Sequence, residues 1–351
     1  MSDFRHPPMQ PGWIDSPHRF AKLGDLRLEG GDSIRDYVQS YVTHGTLNSA
    51  RDNAILVCIS LTGNHHRLDF LIGPGMALDT GRYFVVCADP IGNGLSTSPS
   101  NSERQPRMRF PHFGIRDMVH SQHRLLTEVL GIERLAAVAG ASMGGMQALQ
   151  WAVSHPGFMR AVVAMTPMAR TAPWSAMVVK AARTCLTADP SWSDGGFREV
   201  PTHGWHAYTG VMTALLSRTP AAVAEFAPEP AAVPQWFEKL AAHNAMLAFD
   251  AHDYLFQSWA YETHDVGAGP GAQGTEGALR AIQSPTLVLA PPLDLFNPAE
   301  SARWAAERIP GAKFVEIPSA QGHQAATATR AEDAEFLNRV IAEFLAERTR
   351  T

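Results

Sequence analysis

The chain has 351 residues, of which 45% are hydrophobic and 18% are charged; this excludes a disordered protein and suits one large globular domain with an insertion. The net charge of −5 comes without any run of Lys or Arg, so we expect no nucleic-acid partner. The chain has three cysteines, an odd number that predicts reduced thiols. It shows no apolar stretch of about 18 residues and no signal-like start, so we expect a cytoplasmic protein outside the membrane.

Short apolar runs alternate with amphipathic stretches along the chain. Apolar runs of this length predict parallel strands buried on both faces, and the stretches between them predict crossover helices. The predicted fold class is therefore α/β, with a mostly parallel sheet and helices on both faces. After a Pro- and His-rich loose arm over residues 1–20, the predicted strands are 20–28, 36–45, 54–60, 83–89, 135–140, 161–166, 286–290 and 313–317, and the clearest helices are 116–130, 299–309 and 332–347.

Residues 168–280 interrupt this alternation. They contain five tryptophans and several Ala-rich helical stretches but no clear buried strand. A helical insertion of this kind lies above the carboxyl ends of the strands, where α/β sheets bind ligands. We therefore predict a core over residues 1–167 and 281–351 and a helical lid over 168–280, in which the Gly-rich stretch 267–277 is a flexible surface loop.

The most informative stretch is Gly140-Ala-Ser142-Met-Gly144, between a predicted strand and a predicted helix. Gly-x-Ser-x-Gly in a strand–turn–helix context is typical of a nucleophile elbow, in which small residues permit a sharp turn that exposes the serine hydroxyl. The following helix directs its N–H groups and positive dipole end to the same place. The alternative is a glycine-rich turn with an incidental serine.

A serine hydroxyl needs a nearby base and a group that orients that base. In the α/β-hydrolase fold the serine, the acid and the histidine follow one another along the chain in this order. Asp294 follows the strand at 286–290, and His323 follows the strand at 313–317. We predict a Ser142–His323–Asp294 triad; the alternatives are a loop-capping aspartate and a solvated loop histidine.

The loop after the strand at 54–60 is the expected source of an oxyanion donor. Its backbone N–H at Leu61 is the first candidate, with Thr62 less favoured, and Met143 supplies the second N–H. His65 and His66 follow in the same loop. Because adjacent side chains diverge and no acidic cluster accompanies them, we expect no metal site and no bound cofactor.

Together these stretches resemble the homoserine O-acetyltransferases of the α/β-hydrolase superfamily over almost the whole chain. The resemblance implies the same triad, oxyanion amides at Leu61 and Met143, a helical lid and a homodimer that forms through the lid. The stretches that carry it are HGTLN (44–48), NAILVCISLTGNHH (53–66), LIGPGMALDTGRYFVV (71–86), IRDMVHSQHRLL (115–126), GASMGGMQALQWA (140–152), ADPSWSDGGF (188–197), DLFNP (294–298) and GHQ (322–324).

Departures from that family fall where homoserine would bind. Where the family has an aspartate after the catalytic histidine, this chain has Gln324. The lid arginine and the tyrosine seven residues later become Thr209 and Leu216 when the lid is aligned without gaps from Gly204. A buried zwitterion needs both of its charges paired. Homoserine is therefore disfavoured, unless another arginine substitutes: Arg104, Arg107, Arg109 or Arg170.

These residues predict a serine enzyme that cleaves small, short-chain carboxylic esters through an acyl-enzyme. Without a charged site for an alcohol, water is the expected nucleophile, and the chain also resembles the ester-hydrolase branch of the family. The alternative is an O-acetyltransferase that uses acetyl-CoA as co-substrate and acts on homoserine or another alcohol. A non-catalytic binding protein on the same fold is a third possibility.

Overall fold

The computed structural model describes residues 6–247, 249–269, 271, 273–327 and 329–349. Eight strands form one sheet, as the apolar runs predict. The central strands are buried along their whole length, which explains why their sequences are continuously apolar. The sheet strands are β1 (Arg19–Arg27), β2 (Ser33–His44), β3 (Ala54–Cys58), β4 (Phe84–Ala88), β5 (Ala137–Ala141), β6 (Val162–Met165), β9 (Thr286–Ala290) and β10 (Lys313–Glu316).

The spatial order of the strands is β1-β2-β4-β3-β5-β6-β9-β10. β1 and β2 pair antiparallel, β2 also runs antiparallel to β4, and every other neighbouring pair is parallel. The carboxyl ends of β3, β5, β6, β9 and β10 therefore meet at one edge. This edge carries the loops in which the sequence predicts the functional residues.

Helices cover both faces of the sheet. The core on one face contains Val138 with side chains of the helices at 115–124 and 143–154, whereas the core on the other face contains Ala137 and Ala139 with side chains of the helix at 331–348. No helix in the described part of the chain is long and apolar enough to cross a bilayer. The helices are α1 (Ile115–Arg124), α2 (Met143–Ser154), α3 (Pro173–Thr187), α4 (Thr202–Tyr208), α5 (Pro220–Phe226), α6 (Val233–Leu247), α7 (Ala251–Glu262), α8 (Gly274–Arg280), α9 (Ala299–Ala306) and α10 (Ala331–Arg348).

The inserted stretch 168–280 contains α3 to α8 together with details that the sequence did not predict. Trp192–Ser193 (β7) and Gly196–Phe197 (β8) form a short antiparallel hairpin. After α4 the chain continues as a π-helical segment over Thr209–Leu216. The predicted Gly-rich loop is shorter than expected because α8 begins at Gly274; its residues 270 and 272 lie outside the described residues.

The N-terminal arm, residues 6–18, contains no helix or strand, as predicted, but it packs against the core. The backbone N–H of Ile14 donates to Asp69 Oδ2 at 2.8 Å. The ring of Trp13 stacks on His66 with centroids 4.2 Å apart. The arm is therefore fastened beside the loop that follows β3; residues 1–5 lie outside the described residues.

Candidate active site

Ser142 lies at the sharp turn between β5 and α2. Its backbone has φ 56° and ψ −123°, a conformation that is costly for a residue with a side chain and persists only where its surroundings impose it. Here the Ser142 N–H donates to the carbonyl of Met165 at the end of β6, at 2.9 Å. The neighbouring strand therefore holds the turn that presents the hydroxyl.

The two glycines of the elbow allow its backbone to pack against the sheet. A Cβ at Gly140 would lie 2.2 Å from the Gly144 carbonyl oxygen, and a Cβ at Gly144 would lie 2.2 Å from the Cys58 carbonyl oxygen. Neither position has space for a side chain. Gly-x-Ser-x-Gly is therefore a packing requirement of this turn.

The structure brings the three predicted triad residues together. His323 Nε2 lies 2.9 Å from Ser142 Oγ, and His323 Nδ1 lies 2.7 Å from Asp294 Oδ2. The exposed fractions are 5% for Ser142, 6% for His323 and 5% for Asp294. A serine–imidazole distance in hydrogen-bond range and a carboxylate on the far nitrogen are what proton transfer from the hydroxyl requires.

Asp294 is itself held by neighbours that the sequence analysis did not identify. Its Oδ1 accepts the backbone N–H groups of Phe296 and Asn297, each at 2.8 Å. The Asn297 amide donates to the Thr166 carbonyl at 2.7 Å and accepts the hydroxyl of Tyr261. Burial, together with the charge of Asp294, raises the pKa of Tyr261 well above its usual value, so this hydroxyl remains a donor.

The predicted oxyanion donors come from neighbouring segments: Met143 follows Ser142 in the elbow, and Leu61 follows β3, the strand next to β5. Met143 begins α2, so its N–H has no partner within the helix. Among the described residues, neither the Leu61 N–H nor the Met143 N–H makes a hydrogen bond. The N–H of Thr62, the less favoured candidate, instead faces Gln257 Oε1 at 3.3 Å. Leu61 and Met143 are therefore the amides left available for an anionic oxygen.

The lid forms hydrogen bonds with three loops, which carry Leu61, Asp294 and His323. Gln257 of α7 contacts the loop of Leu61, as described above. The remaining contacts involve the acid loop and the histidine loop. They are Trp174 Nε1 to the Leu295 carbonyl at 2.8 Å, Ser175 Oγ to the Phe296 carbonyl at 2.7 Å, the Gln324 N–H to the Ser217 carbonyl at 3.3 Å, and Thr219 Oγ1 to the Ala320 carbonyl.

The three predicted substrate-binding residues are all uncharged, and two of them already have polar partners. Thr209 is 1% exposed, and its hydroxyl donates to the Trp205 carbonyl and accepts from the Asn244 amide, both at 2.9 Å. Leu216 is half-buried and packs against the core. Gln324 Oε1 accepts the hydroxyl of Thr327 at 3.1 Å.

The arginines considered as replacements are exposed and lie elsewhere. Arg104 pairs with Asp36 at 3.4 Å, and the Arg170 guanidinium lies 5.3 Å from the centre of the Trp304 ring. Arg107 and Arg109 line a surface cavity of about 600 Å³ next to the β7–β8 hairpin, whose lining includes none of the triad or oxyanion residues.

A different arginine, Arg67, lies close to the lid and the oxyanion loop. Burial lowers the pKa of its guanidinium, and its Nε has no hydrogen-bond partner among the described residues. Burial raises the pKa of Tyr208, and Arg67, Tyr254 and Thr62 lie close enough to oppose part of that rise. Arg67 is half-buried, and its positive charge opposes part of the rise in the pKa of Tyr208, which directly precedes Thr209.

The side chains of His65 and His66 in the oxyanion loop lie together, although adjacent side chains were expected to diverge. The rings of His65 and His66 lie 4.3 Å apart, and both contact the ring of His6 from the N-terminal arm. His18 joins them, and each loop histidine hydrogen-bonds to a buried carboxylate. The two side chains therefore lie together and beside carboxylates, and the prediction that they diverge is wrong.

Comparisons with known proteins agree with the fold. Residues 53–325 match the family model of the α/β hydrolase fold. Homoserine O-acetyltransferase of Thermobifida fusca is 35% identical over 342 residues, which are 87% of this chain and 88% of that protein. The enzyme of the same name from Methanohalophilus mahii is 39% identical over 212 residues, but the match spans only 44% of that protein.

Among solved structures, the acetyl esterase MekB superposes with a TM-score of 0.86 at 28% identity, covering 94% of this chain and 97% of that one. The fold and the arrangement of Ser142, His323 and Asp294 are those of an α/β-hydrolase enzyme. The chain belongs to this superfamily and, within it, to the family of the homoserine O-acetyltransferases.

Proposed function

We propose that this enzyme cleaves small acetyl-type esters through an acyl-enzyme on Ser142, with water as the final acceptor. The observation that carries the proposal is the line of contacts from Ser142 Oγ through His323 to Asp294, at 2.9 and 2.7 Å. His323 takes the serine proton as Oγ attacks the ester carbonyl. The carbonyl oxygen becomes an anion facing the amides of Leu61 and Met143, and His323 then protonates the departing alcohol.

The second half of the reaction depends on what attacks the acyl-enzyme. Thr209, Leu216 and Gln324 offer no ion pair for a zwitterionic alcohol, and burial of an unpaired charge costs several kcal/mol. Water needs no such partner, and His323 can remove its proton as it removed that of the serine. These features favour hydrolysis of an uncharged ester.

Acetyl transfer from acetyl-CoA to an alcohol is the second candidate, and two observations favour it. Both relatives described above are named homoserine O-acetyltransferases, and their names support transfer more directly than hydrolysis. In addition, the guanidinium of the half-buried Arg67, whose charge acts on Tyr208, is suited to bind a carboxylate of the acceptor. No matching carboxylate for an ammonium group stands at position 324.

One set of assays separates the two reactions. Purified enzyme receives p-nitrophenyl acetate and ethyl acetate, and then acetyl-CoA with and without homoserine. Hydrolysis of the simple acetates without homoserine-dependent CoA release supports the first proposal, whereas strong homoserine-dependent release overturns it. Ser142→Ala is the control for both reactions and should lower kcat by about 10⁶-fold.

Three substitutions test how the acceptor is selected. Gln324→Asp combined with Thr209→Arg should increase homoserine-dependent CoA release if these positions face the acceptor, and no change would contradict the lid alignment. Arg67→Gln should raise KM for an acidic alcohol if transfer occurs, and should leave ethyl acetate hydrolysis within about threefold of wild type. Arg104→Gln, at an exposed ion pair, is the matched control.

A further inference from the structure

Four imidazoles meet where the N-terminal arm crosses the loop after β3. His6 and His18 come from the arm, and His65 and His66 come from the loop. Ring centroids are 4.8 Å apart for His6 and His18, 5.2 Å for His6 and His65, and 4.4 Å for His18 and His65. One nitrogen from each of these three residues lies within 4.8 Å of the other two.

His65 is oriented so that one nitrogen remains available in the cluster. Its Nδ1 lies 3.0 Å from Asp89 Oδ2. Because a carboxylate only accepts, Nδ1 is the nitrogen that carries the proton in a neutral imidazole, and Nε2 is then the one with the lone pair. His65 is 1% exposed, and Nε2 has no hydrogen-bond partner among the described residues. An unpartnered buried nitrogen is costly unless something binds it.

His66 repeats this arrangement. Its Nδ1 lies 2.6 Å from Asp69 Oδ2, and its Nε2 lies 3.2 Å from His6 Nε2. Four nitrogens at about 2.05 Å from a tetrahedral zinc ion are separated by roughly 3.3 Å, so this pair already has a suitable spacing. The ring of Trp13 stacks on the ring of His66.

We propose that His6, His18 and His65 bind one divalent transition-metal ion and that zinc is the ion this set suits. His66 lies outside this group of three, but its Nε2, 3.2 Å from His6 Nε2, is the proposed fourth ligand. Neutral imidazoles favour such ions, whereas calcium and magnesium require oxygen ligands. Histidine ligands commonly donate their second N–H to a carboxylate, as His65 and His66 do to Asp89 and Asp69. These two carboxylates also offset the charge of the ion.

With His66 as the fourth ligand the proposed site is structural, because four protein ligands leave no open position for a substrate. Its effect is to fasten the arm to the loop that carries Leu61, four residues before His65. Otherwise the arm depends on contacts such as the Ile14 hydrogen bond to Asp69 and the Ser16 hydroxyl near His44 Nδ1 at 3.2 Å. Loss of the ion should therefore loosen the arm and lower thermal stability.

The first test measures metal on the full chain, purified without a polyhistidine tag from zinc-supplemented cells. We expect about one zinc per chain, and we expect His18→Gln and His6→Gln to lose it. His155→Gln is the matched control, because His155 stacks on His123 at 4.1 Å in a separate half-buried pair; it should retain the zinc. Equal zinc in wild type and His18→Gln, or equal loss in His155→Gln, overturns the proposal.

A second test requires no variant. Wild-type protein stripped with a chelator is titrated with Co²⁺, whose visible absorption reports tetrahedral coordination, and is melted with and without Zn²⁺. Saturation at one equivalent and a melting temperature raised by several degrees by zinc support the site. Absence of both signals would mean that the histidines only hydrogen-bond to one another, and the proposal would be wrong.

Discussion

Gly144→Ala tests whether the elbow depends on close backbone packing. The new Cβ would lie 2.2 Å from the Cys58 carbonyl oxygen, whereas real Cβ contacts are essentially never below 3.0 Å. Helix α2 must therefore move away from β3 by at least 0.8 Å, the difference between these two distances. Since α2 begins at Met143 and the loop after β3 carries Leu61, the movement separates the two proposed oxyanion amides.

A misplacement of about 1 Å at reacting groups costs about 10²-fold in rate, and overpacking a tight interior costs about 1–3 kcal/mol in the free energy of unfolding. We therefore expect Gly144→Ala to lower kcat for p-nitrophenyl acetate by about 10²-fold and the melting temperature by several degrees. Gly30→Ala is the control, because its Cβ would meet nothing within 4 Å. If Gly144→Ala matched wild type in both measurements, the packing argument would be refuted.

Three further predictions concern single buried groups. Asp294→Asn should lower kcat by about 10⁴-fold because the amide no longer fixes the imidazole tautomer, and unchanged p-nitrophenyl acetate turnover would exclude that role. Burial lowers the pKa of His264 to about 4. Its contribution to the free energy of unfolding, up to about 3 kcal/mol, is therefore present above pH ~6.5 and lost as pH falls toward 4. His264→Gln should reduce the change of the urea-unfolding free energy with pH across that window. Burial, with the charge of Asp250, raises the pKa of Asp253 well above its usual value, so the protein loses stability as pH rises above ~4 through that raised pKa. The stability of Asp253→Asn relative to wild type should therefore increase from pH 4 to pH 8. A difference in the free energy of unfolding that stays constant with pH would contradict this.

The positions of the strands and the meeting of the triad could be predicted from the sequence for one physical reason. Ser142, Asp294 and His323 each follow a short apolar run, and such runs become parallel strands whose carboxyl ends share an edge. Topology therefore converts three separate local patterns into one site. The requirement for glycine at positions 140 and 144 could be predicted from one rule: a sharp turn packed against a neighbouring backbone leaves no space for a side chain.

Contacts between non-periodic segments could not be predicted in this way. Nothing in the local sequence around Tyr261 indicates that its hydroxyl reaches Asn297. The histidine cluster was missed because the orientation of His65 is set by Asp89, 24 residues later, and because His18 belongs to an arm without hydrophobic periodicity. Such pairings depend on how loops pack in three dimensions. A single sequence contains no periodic pattern that predicts this packing.

The hydrogen bonds between residues 168–280 and the site loops make this insertion a structural support for those loops. Trp174, Thr219 and Gln257 are anchored on three different loops of the sheet edge. A different insertion would have to form the same hydrogen bonds before it could present different side chains to the substrate. We therefore expect related enzymes to change their acceptor by substituting inward-facing side chains between these anchors. We do not expect them to replace the whole insertion.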